Sequence, residues 1–375
     1  MIEKEKKTIL KGGVLTRQRN QTLDILKGFG IILMVIGHSG APTWLHNTIY
    51  SFHMPLFFIA SGWFFSEKDI DEPIDYLKRK IKGIYWPYLK WSIVFLFLHN
   101  ILFYLGVINE KYSNQTAYDM NVFIKKLCNV VFFMRDFDQL VATYWFLRCL
   151  LVGCLMFCLC SSLVHKILRV EKECSTRLVS LFFLILCGAI AYFQFKVPIV
   201  PNNGYRELLA VFFVGMGYLI KKKESALSRY RLLIITMAPI FIILPVLIHP
   251  IEMIPDISFI DWLLIPIAGI SGFLLVYQIS KPLSSWRSIL IQMLIYIGRR
   301  TFYIMTFHVL LFKPASYLKT CMLGMDWHAI GCFPVITSKD YMWYWIVYTI
   351  STIVFSLMLE RLVSHLQLKP LRIKF

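Results

Sequence analysis

The chain has 375 residues, of which 57% are apolar, 16% aromatic and only 17% charged, with a mean hydropathy of +0.61. Ordinary soluble domains carry nearer a quarter charged residues, so a soluble globule is excluded. The formal charge of +18 would suit nucleic acid, but the 40 Lys and Arg fall mainly in short clusters between apolar runs, which is a topology signal and argues against a nucleic-acid partner.

Residues 1–22 are polar and basic, and the apolar run that follows lacks the small-residue exit of a cleaved signal peptide. They are read as a cytoplasmic segment before a retained first span. About ten spans are predicted, at roughly 23–43, 49–66, 84–106, 141–164, 178–196, 205–220, 232–250, 259–280, 301–318 and 342–360. The basic clusters recur on alternate connections, from Lys4 to Lys27, Lys68 to Lys82, Lys166 to Arg177, Lys221 to Arg231, Lys281 to Arg300 and Arg361 to Lys374. That alternation predicts both termini in the cytoplasm. The expected fold is an all-α polytopic integral membrane protein, with its membrane part at 23–360 and a cytoplasmic tail at 361–375.

In the first span, Asp24, Lys27 and His38 interrupt an apolar run. Ionisable groups are costly in hydrocarbon, so their presence is by default functional. Eleven residues separate Lys27 from His38, about 16 Å of rise and roughly 20° of rotation on a helix, so the two share a stripe. Asp24 lies on the same broad face. Gly28, Gly30 and Gly37 allow close approach of a neighbouring backbone or of a long thin ligand. Imidazole is readily tuned to accept a proton near neutral pH. The plainer readings are a Lys27 that snorkels to the interface and a His38 bonded to a neighbouring helix.

Span two opens with Phe52-His53-Met54-Pro55 and continues to Ser61-Gly62, so His53 lies towards the same side as His38. An interfacial His capping a helix is the alternative. Residues 78–82 read Lys-Arg-Lys-Ile-Lys and serve either as topology anchors or as phosphate ligands, roles that can coexist. Residues 121–135 are predicted as an outer amphipathic or re-entrant piece, and 284–298 as a cytoplasmic interfacial helix. Pro239, Pro245, Pro250, Pro255 and Pro266 are expected to kink spans seven and eight. Trp44, Trp63, Trp86, Trp262, Trp343 and Trp345 fall near span ends, as in interfacial belts.

His308 in span nine, Arg206-Glu207 at the outer end of span six, and Arg148 in span four are further polar groups in apolar surroundings. Each is open to a structural reading: a satisfied core His, or an interhelical ion pair. Cys321 and Cys332 fall in a predicted outer loop, where either a disulfide or two thiols would fit. No metal-ligand spacing is present, so no metal is expected.

The order Asp24-Ile-Leu-Lys-Gly28, Lys27-x10-His38, Gly37-His-Ser39 and Phe52-His-Met-Pro-Leu-Phe-Phe58 resembles acyltransferase family three, the transmembrane O-acyltransferases of bacterial envelopes. Weaker matches follow at Tyr76 to Ile81 with Pro87-Tyr88, Trp145-Phe-Leu147, and Ile297-Gly298 to Thr301 with His308. Because no further domain follows span ten, the sugar-acetylating branch is the better fit.

The resemblance implies acetyl-CoA or another short acyl-CoA as the donor, entering from the cytoplasm. The acceptor would be a sugar hydroxyl of an envelope polysaccharide or its lipid-linked precursor. His38 matches the family's first-span His and Lys27 its paired cation, while Arg79, Lys80 and Lys82 match the basic entry to span three. That entry departs from the commoner two-arginine form. Asp24 is expected to orient Lys27. His308 is a candidate second acid or base, and His53, Ser61, Trp145, Arg206 and Glu207 are candidates for the acceptor side. His38 would either accept the hydroxyl proton directly or carry the acyl group transiently. A bacterial cytoplasmic membrane location and envelope-biosynthesis partners go with this reading. The rival is an exporter of a glycan or lipid-linked sugar, although no matched inverted repeats are evident; an inactive scaffold is a third reading.

Overall fold

The computed structural model describes residues 20–135, 138–194, 204–253 and 258–367. The expectations for residues 1–19, Pro255, and the tail from 368 lie outside the described residues. All regular structure within them is helical. In chain order the helices are α1 (Gln21–His38), α2 (Thr43–Tyr50), α3 (His53–Trp63), α4 (Glu67–Asp71), α5 (Pro73–Lys80) and α6 (Trp86–Tyr104). Next come α7 (Glu110–Ser113), α8 (Met120–Phe133), α9 (Trp145–Leu168), α10 (Lys172–Phe193), α11 (Tyr205–Lys222) and α12 (Glu224–Arg229). The last are α13 (Arg231–Ile248), α14 (Phe259–Leu283), α15 (Ile289–Gly298), α16 (Thr301–Leu311), α17 (Lys313–Leu323) and α18 (Trp345–Gln367).

Local chemistry sets the ends of these helices. The Asn20 side chain accepts from the Leu23 amide and starts α1, while Gly40, at φ +77°, turns the chain after it. Ser258 and Asp261 form a reciprocal cap at the start of α14. Among the described residues, six helices reach the length and hydropathy needed to cross a bilayer: α1, α9 with the 3-10 turn before it, α10, α13, α14 and α18 with the turn before it.

The other four expected spans are less regular. The span at 49–66 begins in α2, breaks at Ser51-Phe52 and resumes as the 11-residue α3. The one at 301–318 breaks at Phe312, between α16 and α17. α6 carries a buried His99, and α11 carries Arg206 and Glu207 in its first turn. Broken or polar helices persist at membrane depth when neighbouring helices enclose them. Here α3 is held between α11 and α14. A Cβ on Gly62 would lie 1.8 Å from the Val214 carbonyl oxygen, and one on Gly217 would lie 2.0 Å from that of Ile59. Only glycine permits so close a crossing.

α1 lies inside the bundle against α3, α14, α15, α16 and α18. α15 is not a free interfacial helix: Ile291, Leu294 and Ile295 bury against Ile25, and Gly298 meets the Asp24 backbone. α13 is apolar all round with only three buried residues, Ala238, Ile242 and Pro245, as expected of a lipid-facing helix. Trp63 departs from the belt expectation, because it is buried and packs 4.7 Å from the Tyr277 ring. Cys321 and Cys332 are unpaired thiols. α8 is a mostly exposed amphipathic helix laid along α6.

Candidate active site

Lys27 and His38 line one internal cavity of about 340 Å³. Its middle is apolar, walled by Ile31, Met34, Phe57, Phe146 and Leu147. The helical stripe inferred from spacing is therefore a cavity wall, with polar groups gathered at its two ends.

At the His38 end, the His38 Nδ1 and the Tyr50 hydroxyl share a hydrogen bond of 3.0 Å. A Cβ on Gly37 would lie 2.7 Å from the Tyr50 ring, so this glycine makes the room that lets Tyr50 reach its neighbour. Gly28 and Gly30 likewise face Leu294, Leu56 and Phe57, which makes them packing positions and not ligand contacts. Tyr50 stacks on His46 at 3.9 Å and lies 5.0 Å from His53. His53 also lines the cavity; its Nδ1–H donates to the Ile49 carbonyl at 2.9 Å, leaving the lone pair on Nε2.

His308 is 0% exposed and its ring lies 5.3 Å from that of His38. Its Nδ1–H donates to the Met305 carbonyl at 2.7 Å, while Nε2 is buried without a partner. His308 is not among the cavity-lining residues and stands behind His38.

At the other end, Asp24 is buried and accepts from Lys27 Nζ at 3.1 Å and Arg299 Nε at 3.0 Å. Asp24 does not line the cavity; it fixes Lys27, which does. Ser61 lines the cavity too, and Lys80 Nζ donates to its hydroxyl at 3.0 Å.

Two basic vestibules open from this end. One, of about 640 Å³, is lined by Lys68, Arg79 and Lys80. The other, of about 890 Å³, is lined by Lys78, Lys82 and Lys90 beside Trp86 and Trp91. The five expected-cluster residues are thus split between two chambers. Gly83, in the π-helical turn Ile81–Tyr85, borders both chambers and the central cavity, and a Cβ there would meet nothing. Arg79 is committed to Asp69.

The acceptor-side candidates separate. Trp145 and Arg206 line the cavity, the guanidinium 4.1 Å above the indole ring, and Arg206 Nε donates to the Met253 carbonyl at 2.5 Å. Glu207 is elsewhere: it is buried and paired with Arg148 Nε at 2.7 Å across α9 and α11. Its neighbour in sequence is in the site, and Glu207 itself is an interhelical tie. Glu252 takes the place of a carboxylate at this end of the cavity. Tyr50, Glu252 and Arg299 were not singled out from the sequence. The first is signalled only by its spacing to His53, Glu252 lies in a segment without a motif, and Arg299, inside the Ile297-Gly298 to Thr301 match, reads only as one of a basic cluster.

A buried, histidine-rich cavity open to basic vestibules thus lies within a helical bundle whose long apolar helices suit a membrane. Residues 20–361 match the family model described as an acyltransferase domain, and the chain belongs to acyltransferase family three. It is a membrane-bound acyltransferase, and that activity implies an acyl donor. No curated protein and no solved structure matches the chain.

Proposed function

We propose that the protein transfers a short acyl group, most simply acetyl, from its CoA thioester to a sugar hydroxyl of an envelope polysaccharide or its lipid-linked precursor. The observation that carries this reading is the single cavity joining Lys27 and Ser61 to His38, Tyr50 and His53. In this reading the chain crosses a bacterial cytoplasmic membrane ten times with both termini inside. The vestibule lysines then face the cytoplasm, where CoA thioesters are made.

Lys68, Lys80, Lys78, Lys82 and Lys90 supply cations for the donor's phosphates, and Trp86 and Trp91 supply flat faces for its base. Open space at Gly83 admits a thin arm from either vestibule into the cavity. Lys27, oriented by Asp24, stands at its entrance.

At the far end, His38 Nε2 takes the proton of the acceptor hydroxyl as its oxygen attacks the thioester carbonyl. The Nδ1–H then donates to the Tyr50 oxygen, which selects the tautomer and holds the ring. This is the orienting role that a third group plays in hydrolytic triads. The unpartnered Nε2 of His308, behind His38, favours proton handling by His38 over a passive packing role. The proton ends on the departing CoA thiolate. Arg206 over Trp145, with Glu252 and His53, forms the polar wall against which the acceptor sugar lies.

Purified protein should consume acetyl-CoA when given the acceptor, and mass spectrometry should find the same group on the surface glycan only in cells carrying the gene. Sugar export unchanged in acylation, with the glycan lost from the surface when the gene is deleted, would favour the exporter instead.

A further inference from the structure

A second cleft, of about 520 Å³, lies on the side of the bundle away from the basic vestibules. α6 starts beside the Lys82 vestibule and runs 19 residues, about 28 Å, before the chain turns into the segment that forms this cleft. Tyr112, Asn114, Gln115, Lys126, Gln139 and Phe333 line it. Three planar amides offer paired donors and acceptors, the match for sugar hydroxyls, which both give and accept hydrogen bonds. Phe333 is 44% exposed, an apolar face that stays uncovered. Among the described residues Lys126 is the single lining Lys or Arg, set against the lining carboxylate of Asp138, too sparse a positive charge for a polyphosphate or a lipid-headgroup patch.

Two observations separate this cleft from an incidental surface dip. Gln139 is only 9% exposed, and its side-chain Nε2 has no hydrogen-bond partner among the described residues. A buried amide N–H left unsatisfied costs free energy, which a ligand oxygen recovers once the Gln139 side chain turns its amide into the cleft. The floor beneath is also rigid. His99 Nδ1 bonds Asp138 and its Nε2 bonds the Thr116 carbonyl at 2.9 Å, while its ring stacks on Tyr118 at 3.5 Å. Asp138 in turn caps the 3-10 turn Gln139–Tyr144 by accepting from the Leu140 amide at 2.9 Å.

That turn connects the two sites. Ala142 lines the cleft and the next residue, Thr143, lines the central cavity. We propose that the cleft is a saccharide-binding subsite, which holds the sugar residues flanking the one whose hydroxyl reaches His38. The proposal rests on the glycan-acceptor reading above and extends it from one sugar to an oligosaccharide. An acceptor recognised this way is a chain, and short sugars are poor substrates because they forgo these contacts.

The test is saturation-transfer NMR on the full chain in nanodiscs, with the oligosaccharide pool released by mild acid from the envelope of the producing cells. The wild type should show saccharide signals, and Gln139→Leu should weaken them at least tenfold. Asn114→Gly is the control against misfolding. Asn114 sits at φ 51°, a conformation glycine adopts freely, so the variant removes the amide while keeping the backbone. It should lose at least threefold in signal with an unchanged melting temperature. Wild-type silence, or variants equal to wild type, overturns the subsite. If the variants lose binding but the wild type acylates nothing in the same pool, the cleft stands and the acyl-transfer reading falls.

Discussion

The two ends of the central cavity are built on opposite principles. The Lys27 end is a set of cations on separate supports: Lys27 is tied to Asp24, Lys80 to Ser61 and Arg79 to Asp69. The His38 end has four histidines and a tyrosine that contact each other and backbone carbonyls, with the nearby charges, Arg206 and Glu252, at the rim. Independent charges suit binding, where each contact adds a little. A connected network of donors and acceptors suits proton movement, where one broken link disables the rest. Substitutions should therefore be graded at the first end and abrupt at the second.

The largest effect is expected for His38→Ala, which should lower kcat/KM at least ~1000-fold, within the range of lost acid–base catalysis. Its melting temperature should stay close to wild type, since the residue ends a helix. Next comes Tyr50→Phe, which should cost roughly 10–100-fold in kcat with little change in KM, because it loosens the base without touching the donor. Gly37→Ala should reproduce that loss by displacing the Tyr50 ring, a result that steady-state kinetics would show directly. If Tyr50→Phe shifted KM alone, the network account of this end would be wrong.

Lys80→Ala should raise KM for the CoA thioester about tenfold, or ~1.4 kcal/mol, with kcat retained. The rise should shrink in high salt, where exposed charges are screened. Arg79→Ala should do less, about threefold or under, because Asp69 already engages its guanidinium and the side chain is 58% exposed.

The smallest effect concerns the tether formed by Lys111, Asp326 and His328. The Asp326 carboxyl is pushed down to about 2, first by the hydrogen bond from the His328 side chain. A carboxylate lowered in the folded state contributes above its unfolded pKa of ~3.9 and is lost as pH falls through the folded value. Trp327, packed against Gly106, should thus keep its fluorescence from about pH 7 to about pH 4.

How much of this was legible in the sequence follows from range. Lys27 and His38 are eleven residues apart on one regular helix, so periodicity alone put them on one wall. The helical class followed from apolar run length. Tyr50 was not legible, because its approach depends on the turn after His38 and on the absence of a side chain at Gly37. Sequence adjacency groups Glu207 with Arg206, but adjacent helical residues point about 100° apart, which sends one into the cavity and the other to the ion pair with Arg148. The basic run at 78–82 read as one patch. Helical rotation divides it between two chambers, with Lys78 and Lys82, four residues apart, facing one and Arg79 and Lys80 facing the other. Ten continuous spans were expected where α3 and the α16–α17 pair are broken helices, since hydropathy sums over a break without detecting it.

The central claim is that one cavity links a donor end to an acceptor end on opposite sides of the membrane. Proteoliposomes with labelled acetyl-CoA on one side and the envelope oligosaccharide pool sealed on the other test it directly. Label should appear on the sealed saccharide with wild-type protein and not with His38→Ala. Label that appears only when donor and acceptor share a side, or that persists in His38→Ala, would contradict it.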